Sequence, residues 1–192
     1  PDQFVLKCTH DSGGLYICKE KSKMDKAAVK EKVERSLGRN YFWHGREWPY
    51  KNIQPQIIAE QFLKDDLGAV LRVYKIFNFN GEAKIIQMIT NDKTPEETIN
   101  YYDVEWNLLN LRQNYPNGPI DDRPTLLEAM LNWAKLLSDG IPFLRTDFYI
   151  TNGKIYFSEF TFYTDSGFAP YEPEEWDSIL GSWILLPEKE KS

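Results

Sequence analysis

Two hydrophobic periods alternate along the chain, and their order predicts hairpins interleaved with covering helices. Residues 4–19, FVLKCTHDSGGLYICK, set an apolar run on either side of a Gly-containing turn, the pattern of a β-hairpin. Val29, Val33 and Leu37 then recur at i, i+4 and i+8 behind Ser22-x-x-Asp25, a capping-box spacing with Asp in the acidic position. One amphipathic helix ending near Gly38 is expected there. The stretch NYFWHGREWPYKNIQP is broken by Gly45, Pro49 and Pro55 and reads as loop. QIIAEQFL, residues 56–63, reads as a buried strand, and VLRVYKIFNFNGEAKIIQMI, residues 70–89, as a hairpin turning at Asn80-Gly81.

Past Asn91 the signal weakens to a short strand around Tyr101–Trp106 and a Pro/Asn/Gly-rich loop at 115–119. Pro124 and Thr125 open a helix whose apolar stripe is Leu127, Met130, Leu131, Ala134 and Leu137, closing at Gly140. Two strands, PFLRTDFYI and KIYFSEFTF, meet around Asn152-Gly153, and a last helix from Pro173 carries Trp176, Ile179, Leu180 and Trp183 before a charged tail. The layout is α+β.

The pair of strands around Asn152-Gly153 concentrates the chemistry. A strict two-residue loop sets Glu159 opposite Thr146, sending Asp147 and Glu159 to opposite faces. A three-residue loop, Thr151-Asn152-Gly153, sets Arg145 opposite Glu159 with Asp147 on their face. The hydrophobic pattern favours the second, because Leu144, Phe148, Ile150, Tyr156, Phe160 and Phe162 then form the other face. Asp147, Glu159 and the Thr161 hydroxyl converging on one face suit Mg²⁺, which takes a few hard oxygens. An Arg–carboxylate pair on a wet sheet face reads equally well.

Charge and composition narrow the classes. A net charge of −6 and a pI near 5.1 argue against general nucleic-acid binding, which needs a basic footprint. No apolar run approaches the ~20 residues of a membrane-spanning helix. Cys8 and Cys18 are too few for a disulfide framework and flank the opening turn, where they are expected to face each other; a reducing cytoplasm is the expected setting. His10 and His44 repeat no zinc spacing. In the first hairpin Lys7 is either a charged gatekeeper or the counter-charge for a polyphosphate laid under the turn's backbone N–H groups. The sequence starts at Pro1 and enters a strand almost at once, so a fragment, or a product trimmed at its N-terminus, is expected.

Together, DQFVLKCTHDSGGLYICK, NYFWHGREWPYKNIQPQIIAE, KIFNFNGEAKII, FLRTDFYITNGKIYFSEFTF and GFAPYEPEEWD resemble the ATP-grasp enzymes, most closely the TupA-like branch. The resemblance implies an ATP-grasp fold in which two α+β lobes with mainly antiparallel sheets hold ATP, the small lid lobe over residues 1–55 and the larger lobe over 56–192. It implies a phosphate role for Lys7, also counted among the catalytic groups, and a lid role from His10 through Ser12, Gly13 and Gly14, with His10 near substrate. Glu60, Gln61 and Leu63 would form the hinge reading the adenine edge, and Lys75 would contact nucleotide. Asp147 and Glu159 would hold the metal, with Thr161 where many relatives carry Asn, and Arg145 would face the transferred phosphate or the bound acid. Full-length relatives of this kind carry a further N-terminal region, with another nucleotide-contacting lysine, so a missing N-terminal segment is expected.

The function implied is an ATP- and Mg²⁺-dependent carboxylate–amine ligase acting through an acylphosphate in cell-surface polysaccharide synthesis, on a carboxylate-bearing saccharide or amino acid. Two alternatives stand beside it. A metal-dependent glycosyltransferase would be expected to carry an Asp-x-Asp pair, which this sequence does not. A non-catalytic carbohydrate-binding module would use YFWHGREWPY, with Tyr41, Trp43, Trp48 and Tyr50 stacking on sugar rings and Arg46 and Glu47 binding acceptor groups.

Overall fold

The protein is described by a computed structural model covering residues 1–64 and 71–188. Val70, the first residue of the second hairpin's run, and the end of the charged tail lie outside the described residues. The chain divides into two compact units, Pro1–Leu63 and Lys64–Ser192.

In the first unit β1 (Phe4–Cys8), β2 (Leu15–Cys18) and β3 (Ile57–Gln61) form an antiparallel sheet in the order β2-β1-β3. One face buries Cys8 against Val29 and Val33 of α1 (Lys26–Leu37), with Leu6, Tyr16, Met24 and Leu37 around them. The helix starts where Asp25 accepts hydrogen bonds from the backbone N–H of Ala27 and Ala28, 3.0 Å each. Asp25 is therefore the N-cap itself, and Ser22 stands outside the helix, bonded to Glu20. Asp sits one residue ahead of the helix because its short carboxylate reaches two unpaired donors of the first turn.

β3 departs from expectation twice. It is an exposed edge strand rather than a buried one, with Ile57 and Ile58 at 47% and 40% exposure. Its pairing with β1 also carries residues 56–63 into the first unit, so the boundary lies at 63/64 and not after 55. An unbroken apolar run signals a strand but does not say how many neighbours it has. The aromatic stretch forms a short helix, α2 (Phe42–Gly45), and a 3₁₀ turn at Trp48–Tyr50. Cys8 pairs with Ile57 and Cys18 with Phe4, so the cysteines do not face each other; both thiols are free and buried.

The second unit is built on a five-stranded antiparallel sheet in the order β6-β5-β4-β7-β8. Its strands are β4 (Val73–Phe79), β5 (Glu82–Thr90), β6 (Thr98–Tyr102), β7 (Phe143–Thr151) and β8 (Lys154–Thr161). β6 begins three residues ahead of the expected strand. Asn80-Gly81 and Asn152-Gly153 are both two-residue loops with positive φ at each residue, the geometry that matches strand twist.

Both faces of this sheet are covered. On one, Tyr74, Ile76, Ile86, Met88 and Phe148 bury against Leu127, Met130 and Ala134 of α3 (Leu127–Leu137), at roughly 1.5–3 kcal/mol per fully buried large side chain. On the other, Val73, Phe77, Ile85, Ile89 and Ile99 meet Leu111 and, from α4 (Glu175–Ser182), Leu180. Strands buried on both sides read as near-continuous apolar runs, which is why KIFNF and KIIQMI show little alternation.

Candidate functional site

A polar row crosses the second face of the larger sheet, one residue from each strand. Tyr101 on β6 pairs with Gln87 on β5, Gln87 with Lys75 on β4, Lys75 with Asp147 on β7, and Asp147 with Glu159 on β8. In the next row Phe77 pairs with Arg145 and Arg145 with Thr161. The neighbouring apolar positions, Val73, Phe77, Ile85 and Ile89, belong to the core on this face. The polar groups therefore sit where the local dielectric is low and any charge must be matched.

Arg145 does the matching. Its Nε donates to Asp147 Oδ1 and its Nη2 to Asp147 Oδ2, 2.8 Å each, and Nη2 also donates to Thr161 Oγ1 at 2.8 Å. Lys75 Nζ lies 3.7 Å from Asp147 Oδ2, and Glu159 Oε1 lies 3.7 Å from Arg145 Nη2. Asp147 is 1% exposed and Arg145 7%, whereas Glu159 reaches solvent. Burial opposes the guanidinium charge, but the charge and hydrogen bonds of Asp147 outweigh it, with Glu159 and Asp165 adding, so Arg145 is held above its ordinary range.

The local sequence reaches this arrangement by a route the parity argument did not contain. The Asn152-Gly153 loop has two residues, not three, and β8 carries a bulge at Ser158: Phe148 pairs with Phe157, while Asp147 pairs with Glu159. The extra residue shifts the register by one, so Glu159 opposes Asp147 rather than Arg145, and Thr161 opposes Arg145. Tyr156 pairs with Tyr149 and lies on the acid-bearing face, not in the opposite core. A bulge has no strong sequence signature.

Among the described residues no three His, Cys, Asp or Glu side chains converge as a metal centre. The donors present fit Mg²⁺ nonetheless, because that ion is commonly held by one or two carboxylates together with phosphate and water. Asp147 and Glu159 are directly opposed across two strands, where Cβ atoms lie about 4.5–5.5 Å apart, and Thr161 Oγ1 is a further hard oxygen beside them.

The same face holds a cavity of about 130 Å³, lined among others by Lys75, Gln87, Asp92, Glu97, Arg145 and Asp165. Of these only Lys75 and Arg145 were picked out from sequence. Asp92 and Glu97 bracket the β5–β6 turn, and Asp165 opens three successive left-handed residues with Ser166 and Gly167, φ 47°, 55° and 76°. The Asp-Ser-Gly triplet was the available signal, since these types tolerate positive φ best. Burial raises the Tyr101 phenol, and burial pushes that of Tyr171 up to about 12.

In the first unit Lys7 Nζ meets Glu60 Oε2 at 2.8 Å, which joins the expected phosphate group and the expected hinge acid in one pair. Gln61 ends β3, and Leu63 closes the unit. The turn is anchored to the end of α1: His10 Nε2 lies 3.1 Å from the carbonyl oxygens of Ser36 and Arg39, and Asp11 bonds to Ser36 and Arg39. His10 is 2% exposed, a tether for the turn rather than a surface for substrate. Ser12 and Gly13 are the outer part of the turn, with Gly13 at φ 92°.

Gly14 is fixed by space, because a Cβ there would collide with Ser36 Oγ and the Asp11 carboxylate. In the aromatic stretch the Arg46 guanidinium lies 4.5 Å from the Trp43 ring centre and Lys51 Nζ 4.3 Å from that of Trp48. Both indoles are largely exposed. Glu47 is buried, and Tyr50 meets Tyr41 edge-on at 5.6 Å.

The model of the family described as TupA-like ATPgrasp matches residues 1–185. Among solved structures the chain is similar to D-alanine–D-alanine ligase from Bacillus anthracis in complex with ATP, with 15% identity over 83% of this chain and 40% of that one, TM-score 0.44. It is also similar to D-alanine–D-alanine ligase from Helicobacter pylori, with 14% identity over 83% and 41%, TM-score 0.40. The chain thus spans about 40% of the length of the structures it matches. No curated protein matches it. No helix among the described residues is long and apolar enough to cross a membrane.

Proposed function

The chain belongs to the TupA-like ATP-grasp family, and from that premise we propose that it supplies the phosphate- and metal-handling part of a carboxylate–amine ligase. In that reaction a substrate carboxylate takes the γ-phosphoryl group of ATP to give an acylphosphate and ADP. An amine then attacks the acyl carbon, the new C–N bond replaces the C–O bond to phosphate, and phosphate leaves. ATP supplies the phosphoryl group, and Mg²⁺ offsets phosphate charge.

The observation that carries this reading is the buried Arg145–Asp147 pair facing Glu159. Asp147 and Glu159 are the residues that would hold Mg²⁺, with Thr161 Oγ1 adjoining. Arg145 fixes the Asp147 carboxylate and carries a charge that favours an anionic group at the same place. Lys75, one strand over, adds a second cation to the row. Within the first unit, Glu60 holds the ammonium of Lys7 in place. A buried ion pair is poor evidence for a purely stabilising role, because replacing both partners by apolar residues is often neutral or stabilising.

Calorimetry with MgATP tests the reading, comparing the native chain with Asp147→Asn and Glu159→Gln. Each substitution is expected to weaken binding at least about tenfold, in keeping with loss of one charge-assisted ligand. Unchanged affinity in both would overturn the assignment. The carboxylate substrate is proposed to be a saccharide of a surface polysaccharide, or an amino acid, and the exposed Trp43 and Trp48 with Arg46 and Lys51 support the first. Indole stacking on a sugar ring beside a cation suits a uronic acid. Indole fluorescence that does not respond to oligogalacturonate would remove that saccharide assignment while leaving the ligase chemistry in place.

A further inference from the structure

We propose that Asn152-Gly153, at the tip of the ribbon formed by β7 and β8, is a site of spontaneous covalent modification, in which the Asn152 side-chain amide is lost through a cyclic imide to give aspartyl and isoaspartyl products. The chemistry needs only water and stands apart from the ligase reading.

The residue after the asparagine makes the step possible. A glycine nitrogen has no Cβ beside it to obstruct attack on the preceding asparagine Cγ. The bond between the Gly153 nitrogen and Asn152 Cγ forms, the Cγ–Nδ2 bond breaks, and ammonia leaves with the proton from the Gly153 nitrogen. Water then opens the imide at one of its carbonyl carbons, giving a hydroxyl to that carbon and a hydrogen to the nitrogen. Opening at Cγ leaves an ordinary aspartate. Opening at the main-chain carbonyl carbon leaves an isoaspartyl link, with the chain running through Cβ and Cγ.

The sequence offers three such pairs, Asn80-Gly81, Asn117-Gly118 and Asn152-Gly153, and the fold separates them by access to the glycine nitrogen. Gly81 is buried. The Asn80 amide ahead of it is fixed at both ends, Nδ2 donating to the Trp183 carbonyl at 2.8 Å and Oδ1 accepting from the Leu185 N–H at 3.3 Å. The Gly118 N–H donates to Asn100 Oδ1 at 3.1 Å, and Asn117 Nδ2 donates to the carbonyls of Ile99 and Leu111 at 2.9 and 3.2 Å. A Cβ at Gly118 would also collide with Thr98.

Gly153 is placed differently. It and Asn152 are both exposed, and beyond its chain neighbours no atom lies within 4 Å of where a Cβ would stand. Asn152 Nδ2 donates to Thr151 Oγ1 at 3.2 Å, so the distinction lies at the glycine and not at the amide. The loop has two residues, at φ 51° and 65°, in a turn whose twist matches the strands it joins. An isoaspartyl link adds one main-chain atom to that loop and sets a carboxylate beside it, on the ribbon that carries Asp147 and Glu159.

The test is peptide mapping by mass spectrometry of the native chain aged in mildly alkaline buffer at body temperature, beside the same chain aged in urea. In the folded chain the peptide holding residues 152–153 is expected to gain the mass of amide-to-acid exchange at least about tenfold faster than those holding 80–81 and 117–118, which must first give up hydrogen bonds or burial. In urea the three rates are expected to lie within about threefold of one another, because each asparagine is then followed by an unencumbered glycine. Chromatography is expected to resolve the modified 152–153 peptide into aspartyl and isoaspartyl forms. The proposal is overturned if Asn152 reacts no faster than Asn80 and Asn117 in the folded chain, or if urea leaves the spread of rates unchanged. It is also overturned if the aspartyl form is the sole product, since direct hydrolysis would then have bypassed Gly153.

Discussion

Asp147 and Glu159 stand directly opposite each other across β7 and β8 because Ser158 is an extra residue in β8. The hairpin tip alone, a two-residue loop at Asn152-Gly153, would have set Asp147 against Ser158. The bulge supplies the one-residue correction that brings both carboxylates to the same face.

Deleting Ser158 should therefore leave the two acids paired in a regular ladder. MgATP affinity is expected to stay within about threefold, and a cross-strand NOE between Asp147 and the glutamate to persist. Loss of both signals would mean that the bulge does more than set register.

The Arg145–Asp147 pair is buried, so breaking it from one side should cost more than removing it. Arg145→Met alone leaves a carboxylate at 1% exposure without its bidentate partner, a loss of about 3–5 kcal/mol in urea unfolding. Arg145→Met combined with Asp147→Leu is expected to be less destabilised than either single change. An additive double mutant would show that the two side chains are not coupled in the native state.

Alkaline titration should separate the buried phenols from the rest. Tyr171 is pushed up to about 12, and Tyr101 is raised as well, both by burial first of all. A folded-state pKa above the unfolded value of about 10 gives stability that is complete below pH 10 and is lost as pH rises towards 12. Absorbance at 295 nm should show Tyr101 and Tyr171, of the eleven tyrosines, ionising only as the chain unfolds. Ionisation of all eleven before unfolding would contradict the burial.

Gly14→Ala tests the anchoring of the first turn. The added methyl would meet Ser36 Oγ and the Asp11 carboxylate, and overpacking of this kind costs about 1–3 kcal/mol. The thermal midpoint should fall and should recover in part when Ser36 is changed to Gly. A midpoint that does not move would show that the turn is not held against α1.

How much of this was legible beforehand follows from which signals are local. Val29 and Val33 marked their buried face by spacing alone, Asn80-Gly81 marked its hairpin, and the stripe from Leu127 to Ala134 marked a covering helix, because each signal lies within a few residues. Asp25 displaced Ser22 as the cap, since several polar residues near a helix start satisfy the same pattern. The strand at 57–61 was visible while its partner was not, and only its pairing with Phe4–Cys8 moved it to the first unit. His10 carried no sign of burial, which depends on the end of α1 some 26 residues away.

The sequence by itself determined the α+β order of elements, the two Asn-Gly hairpins and the presence of Arg145, Asp147, Glu159 and Thr161 on one ribbon, because these depend on side-chain types and short spacings. Tertiary structure alone decided that the ribbon's register turns on Ser158, that Arg145 neutralises a buried Asp147, and that Asp92, Glu97 and Asp165 share a cavity with Lys75. Those relations join residues brought together by strand pairing and burial, and the free energy of a charge depends on the neighbours and solvent it ends up with, not on its position in the chain.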